Sequence, residues 1–149
     1  MLKGLDDEDR LLASRGLHCG IVADESKIDF ERGDFLIRGV LGADRASQSV
    51  VVGDHVPVGA TVQFQVRDAA TATEDLRALL AGREAAAALV FTCNGRGAGM
   101  FGDPHHDAAI VHEHVAGPIA GMFCAGEIGP VGPRNALHGF TASVALFRD

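Results

Sequence analysis

Short runs of alternating apolar and polar residues predict β-strands in the first half of the chain. In residues 60–67 every second side chain is apolar, which is typical of a strand with one buried and one solvent-exposed face. Apolar runs at residues 17–24, 35–41 and 49–52 predict three strands before it. The connections contain Gly and Asp, so we expect tight turns and a four-stranded meander in which the second and third strands form a hairpin.

The pattern changes to helical spacing after these strands. Leucines recur at helical intervals over residues 76–80, behind a Thr-Ala-Thr-Glu sequence at 71–74 that matches a capping box. An Asp-Pro pair at 103–104 predicts a second helix that ends near Val115. Residues 6–14, with acidic side chains in the first turn, predict a short helix near the start of the chain.

Three apolar runs in the second half, 87–92, 119–125 and 140–147, predict further strands. The first carries no charge and is bounded by turn residues, which predicts a strand buried on both faces. Strands and helices therefore follow one another along 149 residues. We predict a single α+β domain over residues 1–149, with a mixed, largely antiparallel sheet and two to three helices packed on it.

Composition and charge exclude several classes of protein. The net charge is −7 and the 13 Lys and Arg residues are scattered, which argues against nucleic-acid binding. No apolar run approaches the ~20 residues that span a bilayer, and the first residues are acidic where a signal peptide is apolar. Cys19 and Cys124 lie in apolar runs, so we expect buried free thiols in a reducing compartment. These features predict a soluble, cytoplasmic protein without nucleic-acid or membrane partners.

Two glycine-rich loops follow two of the apolar strands, at residues 93–102 and 126–135. Polar groups at the end of a buried strand, on backbone that glycine permits, are typical of a ligand site. We infer that the two loops lie side by side and form one pocket. Backbone N–H groups, with Arg96 or Arg134, would bind a carboxylate or a phosphate there. The spacing matches neither a P-loop nor a dinucleotide-binding turn, so an amino-acid-sized ligand fits better than a nucleotide; alternatively, the glycines only permit tight turns.

Four histidines at residues 105–114 suggest a metal site, but their spacing argues against one. His112 and His114 would point about 200° apart on a helix, and the residue four after His112 is Ala116, so no HExxH signature is present. We therefore favour a solvated polar helix face and predict no metal and no cofactor.

Cys93, at the end of a strand and near Arg96, has two interpretations. A lowered thiol pKa would make it a nucleophile, as in thiol enzymes. We favour the alternative, a small buried residue where a strand meets a tight loop, and do not expect an enzyme.

Three segments, at residues 91–102, 121–130 and 135–143, resemble the C-terminal half of FIST-domain proteins in sequence and in order. Residues 35–41 and 61–67 also fit that family, so the resemblance covers nearly the whole chain. It implies an intracellular sensory module of a bacterial signal-transduction protein that binds a small ligand, such as an amino acid or a similar small carboxylate.

The matching motifs imply seven ligand-binding residues from the two loops and the segment that follows them. Glu127 would pair with Arg96, receive a ligand amino group or cap a loop, and His138 would orient Glu127 or bond to the backbone. The implied residues are Cys93, Asn94, Arg96, Gly97, Glu127, Asn135 and His138.

The resemblance also implies partners. Family members usually carry an N-terminal FIST half, which nothing in this chain resembles, so we expect this half to pair with it or with a signalling domain. Two alternatives stay open: an interaction domain that pairs with another chain, self-association included, and a thiol or acid–base enzyme that uses Cys93.

Overall fold

Nine strands and four helices form the part of the chain that this computed structural model describes, namely Gly4 and residues 6–148. They divide into two compact units. The first runs to Asp68 and includes Pro130–Ala136, and the second comprises Ala69–Gly129 and the residues from Leu137 onward. No helix in the described residues is long and apolar enough to cross a membrane.

The first unit contains one helix and an antiparallel sheet of four strands. The helix, α1, begins where the Asp6 carboxylate accepts a hydrogen bond from the Asp9 backbone N–H at 2.8 Å. The elements are α1 Asp7–Arg15, β1 His18–Val22, β2 Phe35–Asp44, β3 Ser49–Val52 and β4 Val62–Gln65. The predicted hairpin of β2 and β3 is confirmed.

The meander prediction is wrong at its last step, because β4 pairs with β1 and not with β3. The strand order is β3-β2-β1-β4, with His18 opposite Gln65. All five residues of β1 are buried. This strand lies inside the sheet, where β2 pairs with one of its edges and β4 with the other. As a result β4 is an edge strand, and the expected burial of one of its faces is also wrong: Val62 is 43% exposed and Phe64 is 37% exposed.

The second unit places helices on one face of a three-stranded mixed sheet. The elements are α2 Ala69–Leu80, β5 Ala87–Cys93, α3 Ala98–Phe101, α4 His106–His112, β6 Ile119–Cys124 and β9 Ala142–Phe147. The central strand, β5, runs parallel to β6 and antiparallel to β9. The predicted α+β class and largely antiparallel pairing are confirmed.

The core of the second unit lies between α2, α4 and one face of β5. Its buried members are Leu76, Leu80, Ala85, Ala88, Val90, Ile110, Val111 and Val115. The other face of β5, which includes Leu89 and Phe91, is only half-buried. The prediction that β5 is buried on both faces is therefore wrong, because helices cover a single face of this sheet.

The helix starts differ from those predicted. Because α2 begins at Ala69, Thr71 and Glu74 lie inside its first turns and do not form a capping box at its start. Near the predicted start at residues 103–104, the Asp103 carboxylate accepts a hydrogen bond from the His105 N–H at 2.8 Å. The helix α4 begins at His106 and ends at His112 rather than near Val115.

The predicted loop at residues 126–135 contains most of a β-hairpin. Its strands are β7 Glu127–Val131 and β8 Arg134–His138, which form a two-stranded sheet. The two residues between them are Gly132, whose φ is +54°, and Pro133. A short Gly-Pro connection between strands is typical of a tight hairpin, so Gly132 permits a tight turn here.

Candidate functional site

A pocket of about 240 Å³ opens in the second unit beside the end of β5. Its walls are mostly apolar, and its polar side chains come from Thr92, His105 and Asp107. The lining residues are Val90, Thr92, Gly97, Pro104, His105, Asp107, Ala108 and Ile119–Phe123. The pocket thus combines the end of β5, the whole of β6 except its last residue, the start of α4 and the first glycine-rich loop. An apolar cleft with a few convergent polar groups is the usual form of a small-molecule site.

A buried ion pair between Arg96 and Asp107 lies at this site. The Arg96 guanidinium donates from Nε to Asp107 Oδ2 at 2.6 Å and from Nη2 to Oδ1 at 2.8 Å, and both side chains are 5% exposed. The third guanidinium nitrogen donates to the Phe140 carbonyl at 3.2 Å. This bidentate arrangement connects the first loop to α4.

Two further side chains bond to the Asp107 carboxylate. The Thr92 hydroxyl, at the end of β5, donates to Oδ2, and His106 Nδ1 lies 2.9 Å from Oδ1. The other ring nitrogen of His106 lies 2.9 Å from Thr73 Oγ1 on α2. Both oxygens of Asp107 therefore have partners, and the network connects β5, α2 and α4 at the base of the pocket.

Burial and hydrogen bonding shift the pKa of Asp107 in opposite directions. Loss of solvation on burial raises the pKa, but hydrogen bonds from Arg96, Thr92 and His106 outweigh it, so the pKa of Asp107 lies below its ordinary value. Asp107 is therefore ionised at neutral pH and its charge is balanced by Arg96.

The first glycine-rich loop is compact because its glycines allow close approaches. Gly97 has a φ of +78°, which favours glycine, and it precedes α3, a helix that sequence reasoning did not predict. At the end of α3, the Phe101 ring stacks on His106 at a centroid distance of 3.6 Å, and the Arg96 guanidinium lies 5.0 Å from the same ring. The loop thus folds back onto the ion pair.

Glu127, at the start of the second loop, is buried but does not pair with Arg96. Of the roles considered for Glu127, the pairing with Arg96 is wrong, because Arg96 is bound by Asp107. Instead Glu127 Oε2 accepts hydrogen bonds from the Thr141 hydroxyl at 2.9 Å and from the Thr141 N–H at 3.4 Å, and Glu127 is 2% exposed. Its other oxygen has no hydrogen-bond partner among the described residues. Glu127 therefore fixes the start of the segment that leads into β9.

The remaining predicted residues occupy different settings. Cys93 is buried, and its sulfur accepts a weak hydrogen bond from the Gly95 N–H at 3.5 Å. Asn94 is exposed. His138 Nε2 donates to the Gly129 carbonyl at 3.0 Å, so it bonds to the backbone rather than orienting Glu127. Asn135 is exposed on β8 and belongs to the first unit, whereas the other six predicted residues belong to the second.

The strands that precede the two loops end side by side. Cys93 and Cys124 are register partners at the ends of parallel strands, and the Asn94 N–H donates to the Cys124 carbonyl at 2.8 Å. The pocket described above takes Gly97 from the first loop, and its other walls come from β5, β6 and α4 rather than from the second loop. One pocket shared by both loops stays a prediction.

Sequence reasoning missed Thr92 and Asp107 as members of the site. A signal for Asp107 was present: it precedes Ile110 and Val111 by three and four residues, and that spacing places the three on one helix face. All three are buried. A charged residue on the apolar face of a helix indicates a buried partner, here Arg96.

Burial of the cysteines differs in one case from the prediction. Cys19 is buried as expected, but Cys124 is only half-buried because it ends β6, an edge strand. No cysteine among the described residues forms a disulfide. Within the same residues, no three His, Cys, Asp or Glu side chains converge as a metal site would require.

Comparison with known proteins gives a family and several relatives. The model of the FIST C domain family matches residues 1–130. An uncharacterized protein of Mycobacterium bovis is 55% identical over 157 aligned positions, which cover 100% of this chain and 40% of the relative. An uncharacterized protein of Mycobacterium tuberculosis is 55% identical over 155 positions, which cover 98% of this chain and 40% of the relative. The chain thus spans about two fifths of the length of these relatives, and no solved structure matches it significantly.

Proposed function

The chain belongs to the FIST C domain family, and from that premise we propose that it is a small-ligand-binding sensory module of a cytoplasmic bacterial signal-transduction protein. The observation that carries the proposal is the pocket of about 240 Å³ beside the end of β5. Its volume is below the ~300–1,000 Å³ of sites that hold drug-sized ligands, which favours a molecule of amino-acid size. Free cysteines support a reducing compartment.

The chemistry of the lining favours an apolar amino acid. The apolar body of the ligand would pack on Val90, Ile119 and Phe123, with its polar end toward Thr92 and His105. Arg96 is not available for a ligand carboxylate, because its guanidinium already binds Asp107 and the Phe140 carbonyl. An acidic amino acid or a small carboxylate has a net negative charge, which the nearby Asp107 carboxylate would repel and which Arg96 is not available to balance. These ligands should therefore bind more weakly than an amino acid without net charge.

Arg96 acts as a positioning residue in this proposal. Its ion pair with Asp107 holds the first loop against α4, and Gly97 of that loop forms part of the pocket wall. Binding would stabilise this closed arrangement and change the surface that the loop offers to a partner domain. A ligand shifts such an equilibrium only by its difference in affinity between the two arrangements.

A thermal-shift screen of the chain with leucine, methionine, aspartate and acetate tests the proposal. At ten times the Kd, a bound ligand stabilises the folded state by about 1.4 kcal/mol, or roughly 3–6 °C for a chain of this size. We expect upward shifts with leucine or methionine and smaller ones with aspartate and acetate.

A matched pair of variants on α4 locates the binding. Ala108 and Ala109 are both exposed, but only Ala108 lines the pocket. We expect Ala108→Phe to fill the pocket and abolish the shift, and Ala109→Phe to retain it. Absence of a shift with every compound, or equal shifts in both variants, would contradict a ligand site here.

A second candidate function is association with another chain, such as an N-terminal FIST half. The face of the β6-β5-β9 sheet opposite the helices carries Met122, which is 62% exposed, and Phe147, which is 50% exposed. Their register partners are Phe91 and Ala87, so the four share one face. Exposed apolar side chains on one sheet face favour an interface, and this chain covers only 40% of its relatives.

Size-exclusion chromatography tests this second candidate. The chain is mixed with the part of the Mycobacterium bovis relative that lies outside the matched region. We expect co-elution that Phe147→Lys, a change outside the pocket, weakens and that Leu79→Lys, a change at an exposed position on α2, leaves intact. Separate elution, or equal effects of both variants, would contradict it.

A further inference from the structure

Cys93 and Cys124 are placed together by the register of the parallel strands β5 and β6. Each is the last residue of its strand, and the two are register partners. Neighbouring strands lie about 4.8 Å apart. This separation falls within the ~4.4–6.8 Å range of Cα–Cα distances that a disulfide requires.

The two side chains also lie on the same face of the sheet. Cys93 and Cys124 are register partners, and paired residues on neighbouring strands project their side chains from the same face of the sheet. Their Cβ atoms therefore point in the same direction.

The two thiols differ in exposure. Cys93 is 6% exposed, whereas Cys124 is half-buried. Among the described residues, each sulfur has one weak hydrogen bond to a residue two positions away: Cys93 Sγ accepts from the Gly95 N–H at 3.5 Å, and Cys124 Sγ donates to the Met122 carbonyl at 3.7 Å. A bond between the two sulfurs would replace these weak contacts.

We propose that Cys93 and Cys124 form a redox-active dithiol that reacts with small disulfides and is oxidised to an intramolecular disulfide. The more accessible thiol attacks first. The Cys124 thiolate attacks one sulfur of the small disulfide, which forms a mixed disulfide and releases one small thiolate. The Cys93 thiolate then attacks the Cys124 sulfur, which forms the Cys93–Cys124 bond and releases the second small thiolate.

The reaction balances as a two-electron exchange. The two protein thiols lose two protons and two electrons, and the small disulfide accepts them to become two thiols. Transient disulfides of this kind occur in cytosolic proteins as redox sensors. The new bond would join the ends of β5 and β6, the strands that line the pocket and lead into both glycine-rich loops.

Peptide mapping after oxidation tests the proposal directly, because trypsin separates the three cysteines. Cys19 lies in residues 16–27, Cys93 in 84–96 and Cys124 in 97–134. The folded chain is incubated with oxidised glutathione and then unfolded in urea, so that iodoacetamide blocks every remaining thiol, and the digest is analysed without reductant. We expect a peptide that joins 84–96 to 97–134 and is two hydrogens lighter than the sum of its parts, while the Cys19 peptide is alkylated.

Single variants resolve the two steps. In Cys93→Ser the second step is blocked, so Cys124 should retain one glutathione; in Cys124→Ser, Cys93 should be alkylated and carry none. Cys19→Ser is the matched control and should form the link at the rate of the unmodified chain. Excess reduced glutathione should remove the link.

Three results would overturn the proposal. They are alkylation of both Cys93 and Cys124 after oxidation, stable glutathione on either one in the unmodified chain, and a link that involves Cys19. The experiment detects bonds in the unmodified chain, so a variant that fails to fold does not decide it.

Discussion

At the residue scale, the Asp107 carboxylate organises the site. It accepts two hydrogen bonds from Arg96 and one from Thr92, and His106 lies within bonding distance. Moving two charges from water into the protein interior costs free energy. The fold tolerates this pair because both carboxylate oxygens and all three guanidinium nitrogens have hydrogen-bond partners. The energetic consequence is asymmetric: loss of either partner leaves the other charge buried and unpaired.

Arg96→Met should therefore be strongly destabilising. Removing one partner of a buried ion pair costs about 3–5 kcal/mol, and urea unfolding of the variant and the unmodified chain measures the difference. Arg77→Met is the control, because the Arg77–Glu113 pair is half-exposed at both side chains and exposed pairs contribute little. Equal unfolding midpoints for the two variants would contradict the role assigned to Arg96.

The contribution of Asp107 to stability should depend on pH in a defined direction. Its pKa in the folded chain lies below its ordinary value, which is about 3.9 in an unfolded chain. Its ionised form therefore stabilises the fold fully above about pH 4, and this contribution is lost as the pH falls through the folded pKa.

Comparison with Asp107→Asn, which carries no charge at any pH, isolates that contribution. The unfolding free energies of the two chains should differ most at neutral pH and converge as the pH falls below about 4. A difference that stays constant down to the acid limit would show that the Asp107 charge does not stabilise the fold.

Sequence reasoning identified one member of this ion pair but not the other. Arg96 was predicted as a site residue because it lies in a glycine-rich loop after an apolar run, which is a local signal. Its partner is 11 positions away on α4, and a single sequence does not show which of the nearby acids, Asp103, Asp107 or Glu113, faces the loop. For the same reason, the sequence could not decide whether Arg96 pairs with Glu127, which was one of the alternatives considered.

At the scale of elements, the parallel pairing of β5 and β6 requires a glycine at position 121. Gly121 is the register partner of Val90, and a Cβ at Gly121 would overlap the Val90 carbonyl oxygen. That oxygen belongs to the backbone of the central strand, so it has little freedom to move. The apolar composition of residues 119–125 predicted the strand but not this close approach.

Gly121→Ala should destabilise the second unit, by the ~1–3 kcal/mol typical of overpacking. Gly99→Ala is the control: nothing lies within 4 Å of a Cβ at Gly99, and alanine there should be neutral or stabilising by ~0.4–1 kcal/mol, because it reduces the freedom of the unfolded chain. Thermal unfolding of both variants measures the effect, and equal melting temperatures would refute the steric argument.

Strands and long helices were predictable from periodicity, whereas pairing partners and short elements were not. Residues 87–92 and 76–80 form β5 and part of α2 as expected, because their patterns are local. The pairing of β4 with β1 depends on which strand is most completely buried, and α3 spans only four residues of a glycine-rich loop. Neither the strand pairing nor this short helix produces a periodic pattern of apolar residues in the sequence.

At the scale of the whole molecule, the chain forms two compact units, and the candidate pocket belongs to the second. The sequence predicted polar residues after the ends of two strands, and the register of Cys93 with Cys124 shows that these strands, β5 and β6, end side by side. The sequence did not predict which residues form the pocket walls, because these depend on how α4 packs beside β6. The resemblance to the family supplied the expected function, which the pocket makes testable.

Amide NMR spectra of the isotope-labelled chain, titrated with each standard amino acid, test the central claim most directly. We predict saturable shifts with an apolar amino acid such as leucine at the amides that line the pocket, namely those of Gly97, Ala108 and residues 120–123. These shifts should be lost in Ala108→Phe and retained in Ala109→Phe. If no amino acid shifts these amides at millimolar concentration, or if the shifts persist in Ala108→Phe, the chain does not bind its ligand in this pocket.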